Sequence, residues 1–89
     1  MVQVTDRARQ QLRAIRDSVT ERPEVCLRFR SNEKGRFGLY PDTPREGDQV
    51  VEHDGTPVLV LGRDMAAAMA GRTIDFEEIE GRARWTLRG

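Results

Sequence analysis

The chain is poor in the residues that most often carry chemistry. It has one cysteine, Cys26, one histidine, His53, and one tryptophan, Trp85. A single thiol excludes an intramolecular disulfide. One cysteine and one histidine on separate segments do not make a thiolate–imidazole metal site. No apolar run approaches the length of a membrane span, and the N-terminus lacks the apolar core of a signal peptide. The expectation is therefore a protein without a membrane partner, in the reducing cytoplasm. Net charge is also absent, because fifteen basic residues face fifteen acidic ones. That balance argues against bulk attraction to nucleic acid or to a membrane surface. Lysine is nearly missing: Lys34 stands alone, and every other basic residue is arginine. A composition bias accounts for that without invoking function.

What is present is enough for one domain spanning residues 1–89. A chain of this size buries somewhat over ~60% of its unfolded surface, so a modest core needs no covalent staple. The stretch from Asp42 to Leu61 is the most legible. Pro44 and Gly47 punctuate a turn, Gln49–His53 is a strand centred on Val50 and Val51, and Asp54-Gly55 predicts a tight type I′ hairpin. Thr56–Leu61 returns as a continuous apolar strand, which implies burial on both faces and a central position.

The flanking segments fit around it. Met1–Val4 is a short apolar lead-in. Thr5 is a good N-cap and Asp6 suits the positive end of a helix dipole. Ala8, Leu12, Ile15 and Val19 then form one helical stripe, with Arg7, Arg9, Arg13, Arg16 and Asp17 off it. Arg13 and Asp17 are spaced to pair. Val25–Arg30 alternates, with Val25, Leu27 and Phe29 opposite Cys26, Arg28 and Arg30, as in a half-buried strand. Ser31–Gly38 reads as a polar loop, followed by a short extended segment at Leu39 and Tyr40. Asp64–Ala70, closed by Gly71, predicts a short helix with Met65 and Met69 on its core face. Thr73–Glu80 and Arg82–Arg88 predict a second hairpin about Gly81, an acidic strand with Asp75, Glu77, Glu78 and Glu80 against a basic one. The expected class is α+β, mainly β with two helices.

Catalytic constellations are missing. No nucleophile elbow or histidine-supported triad can be assembled. The acidic cluster lacks the glycine-punctuated spacing of a calcium loop, and Ser31–Gly38 has the wrong glycine order for a phosphate loop. Cys26 has no partner that would activate it and reads as a small filler residue. His53 beside Asp54 reads as a solvent-facing residue before a turn. No activity as an enzyme is expected, and no catalytic, cofactor-binding or metal-binding residue is assigned.

The pattern Asp42-x-Pro44-x-x-Gly47-Asp48-x-Val50-x-x-x-Asp54-Gly55-x-x-Val58-x-Val60 resembles the HesB/IscA family, the A-type iron–sulfur cluster carriers. Thr5–Val19 is similar to the family's opening helix and Val25–Arg30 to the strand after it. Met65–Ala70 followed by Gly71-x-Thr73-Ile74-Asp75-Phe76 is similar to its short helix, turn and next strand, and Glu80–Leu87 to its last strand. The resemblance covers nearly the whole chain. It implies a HesB-like domain of small mixed sheets around one core, a place near iron–sulfur assembly, and a homodimer. The family's ligand loop, Gly-Cys-Ser-Gly, corresponds to about Ser31-Asn32-Glu33-Lys34, with Asn32 near the cysteine position. The family's C-terminal Cys-Gly-Cys has no counterpart before Arg88-Gly89.

Two functional expectations result. The first is a HesB/IscA-like protein that binds no cluster by itself and serves as a non-catalytic binding or adaptor module for assembly or client proteins. The alternative is a repurposed domain whose arginines bind an anionic ligand or nucleic acid. That alternative requires Arg28 and Arg30 to share a sheet face with Arg82, Arg84 and Arg88. Phe29 and Trp85 fall on the opposite strand faces, so the aromatic interleaving of a single-strand binder is missing.

Overall fold

The computed structural model describes residues 1–32, 34 and 36–89. It opens with a two-residue strand, β1 (Gln3–Val4), and a helix, α1 (Asp6–Val19). The helix starts where expected: the Thr5 side chain accepts from the Ala8 amide, and Asp6 lies in the first turn. Its buried stripe is Ala8, Leu12 and Arg16, not Val19, which is 51% exposed. Arg16 replaces the expected apolar residue because its guanidinium closes the turn after the helix. It donates to the carbonyls of Val25 (2.8 Å) and Arg22 (2.6 Å) and pairs with Asp17. The expected Arg13–Asp17 pair also forms, at 3.1 Å.

Three hairpins make up the rest. The first joins β2 (Cys26–Ser31) to β3 (Phe37–Asp42), a full strand where the sequence shows only a short extended segment. The second joins β4 (Gln49–His53) to β5 (Thr56–Leu61), with the predicted bounds. Its turn residues Asp54 and Gly55 both have positive φ, 51° and 80°, as a type I′ turn requires. After a short helix, α2 (Arg63–Ala68), the third hairpin joins β6 (Thr73–Ile79) to β7 (Arg82–Arg88).

The strands form two mixed sheets, in the orders β3-β2-β5-β4 and β1-β6-β7. Each sheet has one parallel pairing, β2 with β5 and β1 with β6. Burial of both faces of β5 follows from its interior place: Val58, Leu59, Val60 and Leu61 are all 0–1% exposed. Each such side chain contributes about 1.5–3 kcal/mol relative to exposure. One core cluster runs from Leu12 of α1 through Leu27 and Leu59 to Ile74 of the second sheet, and Met69 joins it. Among the described residues, no helix is long and apolar enough to cross a membrane.

Candidate functional site

The segment that resembles the family's ligand loop is the connection between β2 and β3. Asn32 organises it: its amide donates to the Arg36 carbonyl (2.8 Å), and its Oδ1 accepts from the amides of Lys34 (2.9 Å) and Arg36 (3.0 Å). An asparagine whose oxygen mimics a backbone acceptor stabilises a tight turn. Glu33, part of the same expected equivalence, lies outside the described residues. Asn32 thus has a structural task where the resemblance implies a metal ligand, and its side-chain oxygen is already occupied.

Cys26 sits at the other end of β2, opposite Asp42. Asn32 lies six positions further along the chain, about 20 Å at a strand's ~3.3 Å rise per residue. Cys26 is completely buried, and its Sγ donates to the Asp42 carbonyl at 3.4 Å. Burial pushes the thiol's pKa up, while the nearby Arg28 charge pulls it down by less. A buried, protonated thiol is a poor nucleophile and a poor metal ligand. A disulfide reagent is therefore expected to leave Cys26 untouched in native protein and to modify it at once in denaturant. Stoichiometric release of the chromophore from native protein within the mixing time would contradict this.

Arg28 does not face water. It is 8% exposed and grips two carboxylates. Its Nε donates to Asp42 at 2.6 Å, its two terminal nitrogens reach Asp48 at 3.2 and 2.7 Å, and one of them also meets the Thr43 carbonyl at 3.4 Å. The Asp48 carboxylate, 6% exposed, also accepts from the Arg45 amide. These contacts tie the loop between β3 and β4 to the middle of β2. They hold Asp42 and Asp48 below the usual carboxylate range, in both cases mainly through the hydrogen bond from Arg28.

Asp75 pairs with the basic strand as expected, through Arg88, but it does so from a buried cluster, itself 0% exposed. The Thr5 hydroxyl, Arg7 (2.8 and 2.6 Å), Arg88 (2.8 Å) and the Phe76 amide (2.8 Å) all donate to it. These bonds join the start of α1 to β6 and β7. Arg7 first, then Thr5, depresses its pKa far below the ordinary value. His53 departs from the expectation of a solvent-facing residue: its side chain is 23% exposed, α1 packs against β4, and Arg13 donates to the His53 backbone carbonyl at 3.4 Å.

The shared arginine face does not form. Arg28 and Arg30 lie in the four-stranded sheet, whereas Arg82, Arg84 and Arg88 lie in the three-stranded one. Arg28 is neutralised by two aspartates and Arg88 is tied to Asp75. Strand alternation marks which residues share a strand face but not which sheet a strand enters. Among the described residues, no three His, Cys, Asp or Glu side chains gather as a metal-binding group.

No protein-family model matches the sequence, and no curated protein sequence matches it. Solved structures do. The crystal structure of Escherichia coli SufA, involved in biosynthesis of iron–sulfur clusters, superimposes with a TM-score of 0.66 over 99% of this chain and 84% of that one, at 20% identity. The structure of IscA with its 2Fe–2S cluster superimposes at 0.62 over 100% of this chain and 85% of that one, at 17% identity. The chain has a HesB/IscA-like fold. Within that fold the hairpin loop turns on Asn32, and the single thiol lies beneath the opposite end of the same hairpin.

Proposed function

We propose that this chain is a HesB/IscA-like protein related to iron–sulfur cluster assembly that holds no cluster on its own side chains. In this reading it acts in the cytoplasm, as a homodimer, as a non-catalytic binding or adaptor module for assembly or client proteins. One observation carries the reading. Clusters are held by thiolates, and the single thiol of this sequence is wholly buried and hydrogen-bonded to Asp42, far along β2 from the Asn32 turn. The residues do not fit the cluster that the structural neighbours' fold implies. The fold, shared with SufA and IscA, supports the link to assembly.

Anaerobic reconstitution with ferrous iron and sulfide tests it. The expected product, after desalting, has no visible absorbance and less than stoichiometric iron. Stable charge-transfer bands that disappear in Cys26→Ser would sink the proposal. The adaptor role is read separately, as co-migration with purified assembly scaffold or client proteins in size-exclusion chromatography.

A further inference from the structure

A cleft of about 360 Å³ lies between the two sheets. The four-stranded sheet lines it with Phe29, Phe37 and Leu59, and the three-stranded sheet with Ile74, Trp85 and Leu87. Its floor is the core itself, for Leu59 is 1% and Ile74 5% exposed. Two aromatic residues on its walls remain open to solvent, Phe37 at 55% and Trp85 at 40%. Their rings are braced from behind. Phe37 stacks on Phe29 with centroids 4.9 Å apart, and Trp85 meets Phe76 edge-on at 4.9 Å.

The cleft is open to solvent along Phe37 and Trp85. Its volume lies within the size range of small-molecule sites, ~300–1,000 Å³, and its lining is of the hydrophobic and aromatic kind that such sites use. None of the described residues lining it carries a charge. A charged ligand would lose its hydration there without gaining a partner, so the occupant is uncharged. Ring faces and edges at the opening favour a flat aromatic molecule over a chain, because ring–ring contact adds to simple area burial.

We infer that the cleft between the sheets is a binding site for a small, uncharged, flat aromatic molecule the size of a fused bicycle, inserted between the Phe37 and Trp85 walls. The inference goes beyond the adaptor role and does not depend on it.

Naphthalene is the probe, and methyl-resolved NMR of the native protein the readout. Ring currents are expected to shift the methyl signals of Leu59, Ile74 and Leu87 saturably, at a stoichiometry of one. Val50, on the far edge strand β4, should not move. Leu87→Phe, which fills the cleft, should weaken binding at least tenfold. Phe37→Leu, at an exposed position where folding is not at stake, should weaken it severalfold. Three results would overturn the inference. One is the absence of any saturable shift. Another is an equal shift at Val50. The third is decane saturating the same methyls as tightly, which would assign the cleft to an aliphatic chain instead.

Discussion

Replacing Arg28 with methionine is expected to cost about 3–5 kcal/mol of folding free energy, the usual loss when one partner of a buried ion pair is removed. A domain of this length has roughly 4–13 kcal/mol in total, at ~0.05–0.15 kcal/mol per residue. The variant should therefore be marginal or unfolded. The geometry explains the size of the effect. Asp48, with a side chain 6% exposed, would keep only the Arg45 amide as a donor among the described residues, and Asp42 would lose its 2.6 Å contact. Arg28 itself is held protonated well above its ordinary range, first by the hydrogen bonds it donates to Asp48 and then by the one to Asp42, against the opposing effect of burial. Arg28→Lys should recover little, since a point-charge ammonium cannot span both carboxylates as the guanidinium fork does. Arg28→Met combined with Asp48→Leu should be more stable than Arg28→Met alone, because it removes the stranded buried carboxylate. Urea denaturation followed through Trp85 fluorescence measures all three. A loss under about 1 kcal/mol for Arg28→Met would mean that the contact behaves as an exposed pair.

That cluster also marks where the sequence is readable and where it is not. The hairpin from Gln49 to Leu61 is legible to the residue, because its turn chemistry and its apolar run are both local signals. Asp42 and Asp48 are recognisable as turn residues. Their partner is not, since alternation along Cys26–Arg30 places Arg28 opposite the apolar face and cannot say that this second face is also covered. The same limit hides Asp75, whose donors lie about seventy residues away on Thr5 and Arg7 and across the hairpin on Arg88. The β1–β6 and β2–β5 pairings are parallel and non-local, so no turn announces them. Resemblance to the HesB/IscA pattern implies small mixed sheets around one core without naming these pairings, and the superpositions on SufA and IscA agree with that class. At the candidate site the resemblance implies that Asn32 falls near a ligand position. That its side chain closes the turn, and that Cys26 lies under the sheet, are consequences of three-dimensional packing alone.

The second large effect is acid sensitivity. Asp42, Asp48 and Asp75 are all depressed in the folded state, each chiefly through an arginine that hydrogen-bonds it. In the unfolded chain these groups titrate near the ordinary aspartate value of about 3.9. As the pH falls through that value, the unfolded state binds protons that the folded state still refuses. The stability these groups contribute is therefore present in full above about pH 5 and drains away below about pH 4. Unfolding around pH 3 should take up as many as about three protons per molecule, which makes the acid transition steep. Asp75→Asn separates the contributions. The amide keeps the shape and one acceptor for Thr5 but forgoes the ion pairs with Arg7 and Arg88. Those arginine side chains are 59% and 57% exposed, so they return to water instead of being stranded. The variant should be less stable than the parent at neutral pH, and its stability should fall less steeply in acid, by about one proton. Urea melts at a series of pH values between 2 and 7, read by circular dichroism, give both quantities. Parallel stability curves for parent and variant would show that the Asp75 carboxylate titrates alike in the folded and unfolded chain, and the cluster at the start of α1 would then lose its role in holding the helix to the second sheet.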